Sequence, residues 1–530
     1  MRSLTAKTLA LLATTVACAT GVPQPPPTLA RFHFPTGLAV DVPYGPDAGP
    51  PHYLYVAGNS NFDQAASRGM VMAVNLDAYG SLEPPGLDAG WDGTPLAFPD
   101  IGAAGSVDPD AGWVYTDSLG GELRLAPTSS GGSRVILATR AENRVAFIDV
   151  DGGALACAAG DGGSDCLNDQ ASPPLVVNAS NGGNQILDVF ALSPPVQATL
   201  PGGGVGPPEV LVGHLRNIST AVASMFGYGA SYGGISNPYM TGAPVSNIVV
   251  DGFVVRQSVD DPTCHIAEPV GPIPPGGVIG LPSPSGLFAV ATGRFQGLAP
   301  ANVQVLALPP LACPPPASGS SAGQVAVDGN PPTPQTIDLS QILKETDGRA
   351  LTLSSRGDRV FALSIGPDAL IVLRLDGSGP GGLLIHPSSV VTLPTGPSEL
   401  LAIPRGTRPD GSAAGDLVAI SCPGSNVLAF YDDDLGQVSA ALPGVGDEPF
   451  AIVATVRNDG PAILPGVRLF VTAFGSGQIA VVDVPDLFDA TQARVVAMLG
   501  TFEDTTASPV NPLTNQFLAL PYGYSGAPGL

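Results

Sequence analysis

An all-β fold, a seven-bladed β-propeller with long Gly- and Pro-rich loop insertions, is predicted by three features of the sequence. A two-strand hairpin pattern recurs along the chain, a proline-led apolar run precedes several of its copies, and helical periodicity is nearly absent. Only short pieces such as Leu339 to Thr346 could form a helical turn or two.

The hairpin is clearest in RLFVTAFGSGQIAVVDV, from Arg468 to Val484, where two short apolar strands rich in β-branched residues flank Gly475-Ser476-Gly477-Gln478. An ungapped copy, RVILATRAENRVAFIDV, runs from Arg134 to Val150 and repeats both the leading arginine and the Asp-Val ending. Two more, RVFALSIGPDALIVLRL from Arg359 and DLVAISCPGSNVLAFYD from Asp416, fit the same frame. Looser copies with longer turns begin at His52, Glu209 and Gly286, so about seven hairpins cover the chain.

The runs from Pro35, Pro397 and Pro449 each place a proline ahead of apolar residues, where its missing N–H breaks no ladder. Each unit therefore reads as an inner strand, the hairpin, and a weaker outer strand such as Arg494 to Leu499. Four short strands repeated seven times make a propeller, which leaves only short, protected edges. With these residues in view, VTAFGSGQIAVVDV resembles the repeat of the YVTN family of seven-bladed propellers, over nearly all of the chain after about residue 30. That resemblance implies a fold and no activity, because its signature residues belong to strands and turns.

Seven blades over this length allot about 70 residues to each, against about 40–50 in common propeller repeats. The excess is expected in Gly80 to Ser133, Gly152 to Asn184, Pro194 to Pro208, Met225 to Pro244 and Pro309 to Pro334, all heavy in Gly, Pro, Ser or Asp.

The N-terminus reads as an export signal over residues 1–17: Arg2 and Lys7 precede the apolar run Leu9 to Ala13, which is too short to span a bilayer. Thr15-Val16-Ala17-Cys18 resembles a bacterial lipobox, with Thr15 where leucine is usual, and implies lipidation of Cys18. Residues 18–30 then form a Pro-rich spacer and residues 31–530 the propeller. Ala19 beside the cysteine implies, by the same resemblance, an outer-membrane lipoprotein facing the periplasm or the surface. The alternative is cleavage at the A-x-A site Ala17-Cys18-Ala19, which would leave a soluble periplasmic or secreted protein.

Export favours disulfides. Cys157 and Cys166 flank a Gly-rich loop and are expected to pair; Cys264 and Cys313, both in Pro-rich segments, form a second candidate pair. Cys422 is left as a partly buried free thiol in a hairpin turn. No C-x-x-C spacing is present and His265 has no second ligand in sequence, so no metal and no other cofactor are expected.

The net charge of −24 opposes nucleic-acid binding. His33, His52, His214, His265 and His386 are scattered, and no nucleophile elbow, Walker loop or zincin motif occurs. Asp149-Val150-Asp151, Asp161 to Asp169 and Asp432-Asp433-Asp434 read as solvated turns, since none keeps EF-hand spacing. Arg140, Arg216 and Arg294 follow corresponding strands and could ring one face for a carboxylate ligand, with structural ion pairs the competing reading. The equivalent positions Asn59, Arg140, Gly293, Ile365, Ser421 and Phe474 offer no set of metal ligands and base. The favoured expectation is thus a monomeric, lipid-anchored binding or scaffold module for an envelope protein or other macromolecule, with no catalytic residues. The alternative is a hydrolase resembling the propeller lactonases, with a metal at the central channel.

Overall fold

The computed structural model describes residues 32, 34–45, 47–59, 68–79, 82, 112–117, 120–139, 144–158, 165–166, 176–178, 184–216, 251–271, 275–293, 302–312, 324–327, 335–339, 342–343, 347–377, 383–408, 411–459 and 462–500. The strands fall into seven antiparallel blades, each ordered outward from the axis as in sequence. Blade 1 comprises Pro35–Val40, Tyr53–Asn59, Arg68–Asn75 and Trp113–Asp117; blade 2 comprises Gly120–Pro127, Ser133–Thr139, Arg144–Asp151 and Ala154–Cys157. Blade 3 has an interrupted inner strand, Asn184–Leu192 and Val196–Thr199, followed by Val205–Arg216, Asp251–Ser258 and His265–Gly271. Blade 4 contains Pro275–Ser283, Gly286–Gly293, Asn302–Leu308 and Gln335–Asp338, and blade 5 contains Asp347–Leu353, Arg359–Ile365, Ala369–Asp376 and Leu384–Thr392. Blade 6 contains Glu399–Ile403, Leu417–Cys422, Val427–Asp432 and Gln437–Pro443; blade 7 contains Pro449–Asp459, Ala462–Ala473, Gln478–Val484 and Arg494–Leu499.

The seven hairpins read from sequence are the second and third strands of the seven blades. Their strands are apolar at successive positions because each packs between two neighbouring blades. In blade 7, Leu469 and Val471 join the core shared with blade 6, while the intervening Phe470 joins the core shared with blade 1. Seven buried clusters fill the seven interfaces. The outer strand Gln437–Pro443 is never fully buried, which explains its weak apolar signal.

Arg468 and Asp483, at the ends of the quoted repeat, are cross-strand partners. Asp483 takes Nε of Arg468 at 2.7 Å and Nε of Arg457 at 3.0 Å. The copy in blade 2 pairs Arg134 with Asp149 in the same register. In blade 5 the carboxylate comes from the next blade: Asp433 binds Arg359 and Arg356. Asp432 meanwhile accepts Arg405 at 2.8 and 2.9 Å. The Asp432-Asp433-Asp434 stretch is therefore not a solvated turn, because Asp432 and Asp433 are buried and all three are engaged by arginines.

Among the described residues the ring closes without strand exchange, since blade 1 is built from N-terminal strands and blade 7 from C-terminal ones. Phe32, Leu38, Val56 and Met72 pack on Phe450, Phe470, Val481 and Val496. The loop after Pro35–Val40 then bonds to the inner strand of blade 7: Tyr44 N–H donates to the Ala454 carbonyl at 2.9 Å, and Thr455 Oγ1 donates to the Val42 carbonyl at 2.9 Å.

Two expectations need correction. The segments read as insertions contain strands: Trp113–Asp117 and Gly120–Pro127 lie within Gly80 to Ser133, and Val196–Thr199 within Pro194 to Pro208. Val176–Asn178 and Gln324–Val327, from two other insertions, join blade 3, with Gln324–Val327 running parallel to its outer strand. Cys422 is fully buried at the end of a strand rather than half-buried in a turn. Cys157 and Cys166 are joined with Cα atoms 5.3 Å apart, and Asp165 next to the bridge pairs with Tyr115 of blade 1. Cys264 is also disulfide-bonded; its expected partner Cys313 lies outside the described residues.

Asp483→Ala would leave two buried guanidinium groups without their counter-ion and is expected to cost about 3–5 kcal/mol. Asp149→Ala, at a carboxylate 47% exposed, is expected to cost about 1 kcal/mol or less. Urea unfolding of the two variants checks the contrast.

Candidate functional site

The first strands of neighbouring blades pack on one another in an unbroken ring around the axis, so their side chains line the central channel. Register shifts near the starts of these strands lift residues out of the ladder, as between Gly120 and Leu123 and between Gly348 and Leu351. The close approach of the strands requires glycine. A Cβ at Gly37 would lie 2.5 Å from the Gly121 carbonyl oxygen, and one at Gly277 would clash with the Arg349 carbonyl.

The bulges hold Glu122 and Arg349 on inner strands, where Glu122 pairs with Arg124 and Arg349 with Asp347. Glu122 Oε2 accepts the Leu192 N–H of blade 3 at 2.8 Å and an Arg124 Nη2 donor at 3.2 Å. In blade 5, Arg349 and Asp347 are paired at 2.6 Å, and the Arg349 carbonyl accepts Thr292 Oγ1 at 2.8 Å. Glu399 of blade 6 is buried and lies within electrostatic reach of Glu122 of blade 2. Burial, then the neighbouring Glu122 charge, holds its carboxyl well above the usual range, against the pull of Arg124.

A second set of acids lies at the channel end that carries the turns between second and third strands. Glu448 and Asn426 both adopt left-handed backbone, and the Glu448 N–H donates to Asn426 Oδ1 at 2.9 Å. Burial and the adjacent Asp447 push Glu448 up to about 7. Burial also raises Asp368, whose Oδ1 has no hydrogen-bond partner. The Cys422 thiol is pushed up to about 12 by burial and then by Asp368, so it is a neutral group at physiological pH.

Of the residues singled out in sequence, Cys18, Cys313, His33, Arg140 and Arg294 lie outside the described residues, and nothing is described of the Asn59 and Arg216 side chains. His52 and His386 are exposed, while His214 and His265 are buried in blade 3. Among the described residues, no group of three His, Cys, Asp or Glu side chains is arranged to hold a metal ion. The ends of the second strands do not carry these paired charges, because the channel is lined by first strands. Glu122-Leu123-Arg124 and Asp347-Gly348-Arg349, an acid and an arginine two residues apart ahead of an apolar run, are the signal that could have found them.

Fold and channel together define a seven-bladed β-propeller with a charge-filled axis. No protein-family model matches the chain, and no curated protein matches it. Among solved structures it is similar to a proposed 6-phosphogluconolactonase from Bacteroides fragilis NCTC 9343, with 12% identity over 78% of this chain and 85% of that one and a TM-score of 0.38. It is also similar to Chaetomium thermophilum Sqt1 bound to the N-terminus of ribosomal protein L10, with 12% identity, 89% of each chain and a TM-score of 0.40. A third is the β-propeller domain of Myceliophteria thermophila Cps50 (Swd1), at 10% identity over 85% of this chain and 96% of that one with a TM-score of 0.41. Likeness at these identities concerns the fold alone.

Glu448 gives a signed pH dependence. Its folded value of about 7 exceeds the ordinary 4.5, so folding takes up a proton between these limits. Its contribution to stability is full below pH 4.5 and falls as pH rises to about 7. Glu448→Gln should remove this part of the slope; stability curves at closely spaced pH check it, and a variant slope equal to that of the parent contradicts the assignment.

Proposed function

We propose that this chain is an exported envelope protein, anchored to the outer membrane by lipid on Cys18, whose propeller serves as a binding or scaffold module for another macromolecule. The supporting observation in the fold is the pairing of the channel charges. Glu122 and Asp347 are each bound by an arginine two residues along the same strand. Guanidinium groups beside the carboxylates oppose capture of a dication, which a propeller lactonase would need.

Contacts with a partner then fall to the surfaces. Leu435, Ile463 and Phe488 are 64%, 54% and 47% exposed. All three stand on blades 6 and 7 at the end carrying the first-to-second and third-to-fourth strand turns. The lipobox-like Cys18 and the spacer after it support residence at a membrane, which raises the effective concentration toward other envelope components. The repeat resembling the YVTN family is compatible with this role and specifies no partner.

The hydrolase alternative has one observation in its favour, the buried Glu399 carboxyl held well above the usual range, which is acid–base equipment in form. Fractionation and assay separate the readings. Cys18→Ala should move the protein from the membrane to the soluble fraction with the propeller still folded, and purified protein should not hydrolyse lactones with or without added divalent metal. A parent protein already soluble contradicts the anchor, and metal-dependent lactone turnover lost in Glu122→Gln contradicts the binding reading.

A further inference from the structure

Five large apolar side chains stand exposed among the described residues: Val205, Ile342, Leu435, Ile463 and Phe488. Three of the five, Leu435, Ile463 and Phe488, gather where blades 6 and 7 adjoin. We propose that this junction is a docking surface for a basic peptide segment of another protein, one that sets apolar side chains on Phe488 and Leu435 and lysine or arginine beside Asp486 and Asp489. The inference rests on the binding role and names the chemistry of the partner.

One guanidinium ties the patch together. Arg405 lies with its guanidinium carbon 5.3 Å from the centre of the Phe488 ring, and its Nη2 donates to Asp432 Oδ1 at 2.9 Å and to Asp434 Oδ2 at 3.0 Å. The Leu435 N–H donates to the same Asp432 Oδ1 at 3.0 Å, so the ring and the leucine backbone are held on one buried ion pair. Just beyond Phe488 the turn Ala490–Gln492 packs on the outer strand Gln437–Pro443, which follows Leu435. The hairpin that carries Ile463 lies against the start of the same loop, because a Cβ at Gly466 would meet the carbonyls of Val484 and Pro485. The Phe488 N–H in turn donates to Asp486 Oδ1 at 2.8 Å. A surface already ordered in this way gives up little freedom when a partner binds.

Charge selects the occupant. Asp434 is engaged by Arg405 and Arg408, whereas Asp486 and Asp489, which bracket Phe488, have no cationic partner among the described residues. Asp489 accepts only from neutral groups, the Thr491 N–H at 3.2 Å, its hydroxyl at 2.5 Å and Gln492 Nε2 at 2.9 Å. Arg494, half-buried at the start of the outer strand of blade 7, is ion-paired with neither acid. A second copy of this chain would bring the same acids and a further net charge of −24 to the contact, and an anionic membrane surface would be repelled in the same way. A segment with lysine or arginine on either side of an apolar anchor covers the ring and pairs both acids at once.

Fluorescence anisotropy with the full chain tests the surface. The probe is a labelled amphipathic peptide of leucine and lysine, about four helical turns long, and its control has glutamate in place of every lysine. The lysine peptide should bind and the glutamate peptide should not, and raising salt from about 0.05 M to about 0.15 M should weaken the binding. Phe488→Ser and Leu435→Ser should each weaken it about tenfold, and Asp486→Asn combined with Asp489→Asn by about tenfold as well. Val205→Ser, at an exposed residue on the same face of blade 3, should bind as the parent does. Melting curves report whether each variant is folded, and the Asp-to-Asn variant decides if Phe488→Ser is not. No binding by the parent, undiminished binding in the folded patch variants, an equal loss in Val205→Ser, or binding of the glutamate peptide would each overturn the proposal. Self-association in sedimentation, or capture by vesicles of anionic lipid, lost in Phe488→Ser, would also overturn it by naming a different occupant. Membrane residence and the absence of turnover are read by fractionation and assay, so the proposal can fail while the binding role stands.

Discussion

Closure of the ring between blades 7 and 1 is the constraint on which the other interfaces depend. A propeller whose last blade borrows a strand from the other terminus is locked by sheet hydrogen bonds. Among the described residues each of these blades has its own four strands, and closure rests on buried side chains and on the loop from Asp41 to Tyr44. Phe32, Phe450 and Phe470 supply the apolar part, and the two bonds from Tyr44 and to Val42 fix the loop against the inner strand Pro449–Asp459. Opening this junction would expose one whole face of each terminal blade, a large apolar cost that keeps the ring shut.

The buried charges follow from the same geometry. Middle strands are covered on both faces, which leaves their ends as the places where an arginine and a carboxylate can meet out of water. Arg468, Asp483, Arg256 and Glu209 are all about 1% exposed or less. Such pairs add little net stability over apolar residues of the same size, but breaking one is expensive, so they penalise strand misregister. Along the axis the same pairing of charge recurs, with Arg124 on Glu122 and Arg349 on Asp347.

Much of this was legible in the chain. The four ungapped copies from Arg134, Arg359, Asp416 and Arg468 occupy equivalent hairpins because their apolar runs and short turns record a local geometry repeated in every blade. Even the Arg468–Asp483 pair was written in the first and penultimate residues of its repeat. The channel was not legible, because Glu122 sits in a bulge inside a Gly- and Pro-rich stretch that reads as insertion, and Glu399, whose carboxyl its charge helps to raise, lies far away in sequence. Likewise Asp432-Asp433-Asp434 looks solvated until Arg405, Arg356 and Arg359 are brought in from separate strands and loops. Periodicity reports what lies next in the chain, whereas these contacts are set by the rotation from blade to blade.

The amide of Tyr44 offers the most direct measurement of closure, by residue-resolved native-state hydrogen exchange. Its N–H is bonded to Ala454 at 2.9 Å, so it should exchange only with the inner strand of blade 7, with a protection matching that of Pro449–Asp459. Exchange of Tyr44 at the rate of an open loop while Pro449–Asp459 stays protected would contradict a ring closed at this junction.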